Sequence, residues 1–294
     1  SGVLKTDLPI LKTVSEILTK QNIKSLLAAV ELHTDTDRPR VFELMNALKD
    51  KPDGVSLSVF DLLELDGEDL KPSYEERLEK ISSLFKKYAI ENITLPKSEL
   101  LEFYKAKVVD NNHEGLVVRS DEFPIVYKIK PKHNLDLAVV GYTVKEDGVR
   151  ELLLAAMDEN DNLIIAGSVG TGFSADMSKT LLLKLSDAHT ESKCIEVDKR
   201  RVAFQMVKPL MVVQIVVNDL ISETTKSVIK KSKIKFNDET GYEFISTVPS
   251  VSFIHPVFES IREDKKVNNL DIRLKQLSDI SYLGSNSNST GDLP

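Results

Sequence analysis

Apolar residues recur at Leu8, Leu11, Val14, Ile17 and Leu18, a three-and-four spacing that lays a stripe along one side of a helix. Pro9 suits its first turn, so the pattern predicts a helix over Leu8–Gln21. A strand is expected at Ser25–Leu32, then a helix from about Val41 within RPRVFELMNAL. After a turn at Pro52-Asp53-Gly54, Val55–Leu63 alternates as a half-buried strand does, and Asp66-Gly67 turns the chain again. Tyr74–Ala89 carries its stripe on Leu78, Ile81, Leu84, Phe85 and Tyr88, and Ser98–Lys107 reads as another helix. Two short apolar strands follow, Gly115–Val118 and Ile125–Lys130. The pattern then changes to β-type runs at Leu135–Lys145, Arg150–Met157, Leu163–Val169, Leu210–Leu220 and Phe244–Val248, with a helical stretch at Met177–Ser186.

Strands and helices alternate up to the end of the second short strand, and strands dominate after it. The expected class is α+β: a mixed domain over 1–134, a small Greek-key barrel of the oligonucleotide-binding (OB) type over 135–280, and a tail over 281–294. SNSNSTGDLP, in that tail, has the composition of disorder. A chain of 294 residues with 41% hydrophobic content can bury two cores. Its one cysteine, Cys194, excludes an intrachain disulfide framework and suits a reducing, intracellular compartment. No apolar run is long enough for a membrane span. A net charge of −7 argues against a whole-surface nucleic-acid coat but leaves room for local basic patches at Lys199–Arg201 and Lys226–Lys235. Ser1-Gly2 is not a translation start, so the chain is expected to be a fragment or a processed product.

The stretch with the most chemistry runs from His113 to Gly141, HEGLVVRSDEFPIVYKIKPKHNLDLAVVG. Lys128 and Lys130 are two residues apart on a strand and therefore share a face. Two ammonium groups beside a carboxylate, Glu114, suit phosphate oxygens and a divalent cation. An ordinary hairpin with a charged, wet face would carry the same residues.

EGLVVR, followed by YKIK running into LDLAVVG, resembles two consecutive signatures of the ATP-dependent DNA ligases. The resemblance extends from about Leu8 to Leu277. AAVELHTDTDRPRVFELM is similar to the family segment that supplies a glutamate, here Glu31, although Ala29-Val30 stands where the family has Asp-Gly. VFDLLELDGEDL matches the segment whose aromatic residue, here Phe60, stacks on adenine, and YEERL matches the helix after it. In the second half S-VGTGF is the most specific phrase, its Gly170 and Gly172 permitting a tight turn. HPVFESIREDK resembles the last motif and offers Arg262, Asp264 and Lys265, with Glu259-Ser260 where a further basic residue often stands.

The resemblance implies ATP as the source of AMP, Mg²⁺ held by Glu31 and Glu114, phosphates met by Lys128 and Lys130, and pyrophosphate oriented by Arg262 and Lys265. It also implies a hinge at Pro131–Asn134 and nicked duplex DNA as substrate. A ligase can also work beside a sliding clamp or repair partner, for which no residue pattern stands in this chain. The family's nucleophilic lysine belongs to a K-x-D-G motif. Lys5-Thr6-Asp7-Leu8 is the nearest string here and lacks the glycine. Aligned by its neighbours, the chain is expected to start just downstream of that motif, leaving the first domain partial. Two other readings stay open. One is a non-catalytic relative that binds DNA or a partner. The other is a different covalent nucleotidyltransferase, an RNA ligase or an mRNA capping enzyme, which VGTGF and LDLAVVG resemble less.

Overall fold

The computed structural model describes residues 5–35, 41–70, 73–111, 113–120 and 123–281, and the structural statements that follow concern these. The chain divides into two compact units, Ser1–Pro131 and Lys132–Pro294. The division falls just ahead of the strand that opens at His133.

Unit 1 runs α1 (Pro9–Lys20), β1 (Leu26–Thr34), α2 (Val41–Asp50), β2 (Val55–Leu65), β3 (Glu68–Asp69), α3 (Tyr74–Phe85), α4 (Leu100–Tyr104), β4 (Leu116–Ser120) and β5 (Phe123–Ile129). β1, β2 and β3 form one antiparallel sheet, and β4 and β5 a separate hairpin. The core gathers Leu8 and Ile10 at the start of α1, Leu57, Val59 and Leu62 from β2, and Ile81 and Phe85 from α3. Burial of each such side chain contributes about 2 kcal/mol. A capping box starts α3: the Ser73 hydroxyl accepts from the Glu76 N–H, and the Glu76 carboxylate accepts from the Ser73 N–H. The helix expected to reach Ala89 stops at Phe85, because Lys86 turns left-handed (φ 48°) and a single 3₁₀ turn follows. The helix expected over Ser98–Lys107 is likewise divided, its second half a π-helical turn at Lys105–Val109.

Unit 2 runs β6 (His133–Lys145), β7 (Gly148–Met157), β8 (Leu163–Val169), α5 (Ala175–Ser186), β9 (Gln205–Met206), β10 (Val212–Val217), β11 (Asp219–Ile221), β12 (Lys230–Asn237), β13 (Gly241–Pro249), β14 (Ser252–Ile254), β15 (Val257–Ile261) and α6 (Lys275–Ile280). An eight-stranded antiparallel sheet has the order β13-β12-β8-β7-β6-β10-β15, with β9 on β6, while β11 pairs with β14. β6 and β7 are buried on both faces. Leu152, Leu154 and Ala156 enter one cluster with Leu181 and Leu185 of α5, and Leu153, Ala155 and Met157 enter another with Ile234 and Tyr242. That is why these strands read as continuous apolar runs rather than alternating ones.

Unit 2 departs from the expectation within its strands. Leu210–Leu220 is two strands, β10 and β11, with different partners. β12 was not expected, since its sequence KKSKIKFN reads as a charge run and only Ile234 is fully buried. The run is not wholly solvated: Lys233 pairs with the buried Asp158 at 2.7 Å. The expected tail lies outside the described residues except for Ser281, which is buried and donates its N–H to the Leu277 carbonyl.

Candidate active site

The first group of expected site residues lies on β1 and β2. Glu31 stands opposite Ser58 and His33 opposite Ser56, on the face away from buried Leu57 and Val59. The His33 ring nitrogen Nε2 lies 3.1 Å from the Ser58 hydroxyl, and Glu31 is exposed. The register then slips: Val30 pairs with Val59, but Ala29 pairs with Asp61. Phe60 is the residue passed over, a β-bulge, which bends the strand and re-aims its side chain. The slip also shows in the burial, whose buried positions run Val55, Leu57, Val59 and then Leu62. Phe60 is half-buried, and its carbonyl accepts a hydrogen bond of 2.8 Å from the Tyr74 hydroxyl.

The second group lies on the β4–β5 hairpin. Leu116 pairs with Ile129 and Val117 with Lys128, so Glu114 and Lys130 meet just beyond the ladder, where the Lys130 ammonium donates to the Glu114 carboxylate. Gly115 makes this possible. A Cβ there would fall well inside contact distance of the Ile129 carbonyl oxygen and close to the Lys130 side chain. Lys128 and Lys130 are both exposed and, at a spacing of two, belong to one face of the strand. The two groups are tied within the unit by Arg119 of β4, whose guanidinium carbon lies 3.9 Å from the centroid of the Tyr74 ring.

The third group belongs to unit 2. Arg262 donates to both Asp264 oxygens, at 2.8 and 2.6 Å, and through Nη1 to Asp136 at 3.0 Å. Lys265 donates to the other Asp136 oxygen at 2.6 Å. The Arg262 guanidinium holds the Asp264 carboxyl down at about 2. Asp264 in turn raises Arg262 above its ordinary value. Asp136 is itself fixed on both sides. Its β10 partner is Gln214, and its backbone N–H and C=O are both taken by the Gln276 side chain, at 2.9 and 2.8 Å. Two cations and two carboxylates make this cluster neutral overall. Both basic residues are thus engaged within their own unit.

Sequence reading missed Asp136, Tyr74 and Arg119 as members of these groups. The signal for Asp136 was faint: it is the one charge in the run LDLAVVG, and a charge on a strand covered on both faces needs a partner. Lys5 and Asp7, of the nearest K-x-D-G-like string, are exposed.

Glu31 and Glu114 offer exposed carboxylate oxygens, the donors that a hard cation takes. Among the described residues no group of three or more His, Cys, Asp or Glu could hold a metal. A cation here would keep much of its water, which fits Mg²⁺ better than a metal that needs a full protein cage.

A unit with a lysine–glutamate hairpin and a bulged aromatic on its sheet, then a strand-rich unit with its own basic cluster, has the build of a two-domain nucleotidyltransferase. Comparison with known proteins agrees. Residues 15–136 match the family model for the ATP dependent DNA ligase domain, and residues 145–265 that for the ATP dependent DNA ligase C terminal region. The chain belongs to the ATP-dependent DNA ligase family. It is 27% identical over 229 residues to a protein named DNA ligase from Methanocorpusculum labreanum, covering 72% of this chain and 36% of that one. It is 32% identical over 121 residues to a probable DNA ligase from Rhodococcus opacus, covering 37% and 24%. The chain thus spans about a third or less of the length of these curated relatives. The solved structure described as Pmar-Lig_PreS3 superposes with a TM-score of 0.53 at 14% identity, over 86% of this chain and 55% of that one. The fold is accordingly that of a ligase nucleotidyltransferase domain and an OB-fold domain.

Proposed function

We propose that this chain is part of an intracellular ATP-dependent ligase that seals nicks in duplex DNA, with AMP carried first on a lysine and then on the 5′-phosphate. The observation that carries the proposal is the β4–β5 hairpin. There Gly115 brings Glu114 against Lys130, with Lys128 on the same strand, in a chain whose two halves match ligase family models. In this reading Phe60 stacks on the base of ATP, and Lys128 and Lys130 neutralise phosphate oxygens. Arg262 and Lys265 orient the pyrophosphate, after exchanging their present carboxylate partners, and Pro131–Asn134 is the hinge. Glu31 and Glu114 would hold Mg²⁺, which when bound supplies positive charge at the phosphate.

In the last step the 3′-hydroxyl oxygen attacks the adenylylated 5′-phosphorus. The new phosphodiester P–O bond forms, the P–O bond to AMP breaks, and the hydroxyl proton is lost to solvent. That step draws AMP from the DNA and needs no lysine nucleophile, so the residues of this chain suffice for its charge neutralisation. The test is joining of a pre-adenylylated nick by the 294-residue chain. The expected result is slow, Mg²⁺-dependent joining of DNA in preference to the matching RNA nick. Joining of the RNA nick alone would favour an RNA ligase, and binding of nicked DNA with no joining under any condition would favour a non-catalytic relative.

A further inference from the structure

Tyr74 has no role in the proposed chemistry, yet its hydroxyl bonds the bulged residue Phe60 and its ring meets Arg119. It is the first residue of α3, and the Ser73–Glu76 capping box fixes where that helix starts. From there its hydroxyl reaches the Phe60 carbonyl at 2.8 Å. A bulged residue is left out of the ladder, so this side-chain donor gives the Phe60 backbone a hydrogen bond at the point where strand pairing lapses. One turn along α3, Arg77 donates to Asp61, the next residue of the bulge, at 2.7 Å through Nε. The first turn of α3 therefore grips two consecutive bulge residues.

The ring of Tyr74 is held in turn. The Arg119 guanidinium covers it at 3.9 Å, and the Arg119 Nε is buried with no hydrogen-bond partner among the described residues. The ring face is thus the partner that this part of the cation meets. Arg119 is placed by its pairing with Val126 in the β4–β5 ladder, so the strand that follows Glu114 is coupled to the bulge through one aromatic ring. Burial raises the phenol above its ordinary value, against the opposing pull of Arg119.

We propose that Tyr74, clamped by Arg119, is a positioning residue for Phe60: its hydroxyl holds the bulge in the form that presents the Phe60 ring to the nucleotide base. The proposal rests on the reading of Phe60 as the base-stacking residue, and the experiment separates the two. The 294-residue chain is titrated with Mg²⁺–ATP and with Mg²⁺–tripolyphosphate, which has the phosphates but no base. Tyr74→Phe, which keeps the ring for Arg119 and removes only the hydroxyl, should weaken ATP binding about three- to tenfold. It should leave tripolyphosphate binding and the thermal midpoint near the parental values. Phe60→Ala should show the same selectivity, more strongly. If Phe60→Ala is selective for ATP while Tyr74→Phe matches the parent, the proposal falls and the reading of Phe60 stands. If Tyr74→Phe weakens both ligands alike, or lowers the thermal midpoint markedly, Tyr74 serves general packing and the proposal is again overturned. If Phe60→Ala affects neither ligand, or the parent binds neither, the base-stacking reading fails and takes the proposal with it.

Discussion

At the residue scale, the cluster around Arg262 shows what a motif string leaves out. Arg262 and Lys265 of IREDK were expected to orient pyrophosphate, but their present partners were not legible, because Asp136 lies far from them in sequence and β10 intervenes in the sheet. The cluster has a consequence in acid. Arg262 depresses the Asp264 carboxyl from 3.8 to about 2. The unfolded chain therefore takes up this proton before the folded one does as the pH falls. The stability contributed by Asp264 is present above about pH 4 and is lost on going down to about pH 2. Other carboxylates are also lowered, among them Asp147, Asp271 and Glu243, so the parent should lose stability steeply there. Comparison of acid unfolding followed by circular dichroism isolates one group: Asp264→Asn should show a shallower loss between about pH 4 and pH 2 than the parent. Identical slopes would mean that the Arg262 pair is too well solvated to matter.

At the scale of elements, VGTGF is where sequence and structure meet most closely. Gly172 has φ +94°, and a Cβ there would press on the backbone of Phe258 in β15. Thr171 holds the same strand, accepting the Phe258 N–H at 2.8 Å and donating its hydroxyl to the Pro256 carbonyl at 2.6 Å. Gly170 is required for a different reason, since its φ is not left-handed and its hydrogen faces Glu151 and the Arg150 carbonyl. Gly172→Ala should therefore destabilise unit 2 by at least about 2 kcal/mol, the sum of backbone strain and a collision that cannot relax without moving β15. Gly54→Ala, with nothing within 4 Å of the added methyl, should change little, and urea unfolding of the two variants makes the comparison. Strands with a buried face were legible from their apolar spacing, as β2, β7 and β8 show. β12 was not, because lysine stems and serines occupy positions that elsewhere in the sheet are Val, Ile or Leu. The bulge at Phe60 was illegible too. VSLSVFDLL alternates well enough to pass as one uninterrupted strand, and only pairing with β1 exposes the extra residue.

At the scale of the whole molecule, the two units differ in what they bury. Unit 2 has two buried clusters sharing the two faces of β6 and β7, whereas the described core of unit 1 is one smaller cluster. The β4–β5 hairpin of unit 1 also leaves Val117, Ile125, Val126 and Tyr127 exposed. Limited proteolysis should consequently cut within unit 1 or near Pro131 and leave a stable fragment from about Lys132 onward. Preferential survival of the N-terminal part would contradict this balance. The central claim is that the hairpin lysines act on phosphate at the reacting centre rather than as general DNA contacts. The direct measurement is the rate of joining a pre-adenylylated nick by Lys130→Ala, set against Lys235→Ala, a change at an exposed lysine of β12, at low and at high salt. Removal of a cation that stabilises developing charge should lower the Lys130→Ala rate by about two orders of magnitude or more at both salts, even at saturating DNA. Lys235→Ala should cost mainly affinity, and that cost should shrink as salt rises. Equal, salt-dependent losses in the two variants would contradict the account, leaving Lys130 a generic contact and the site elsewhere.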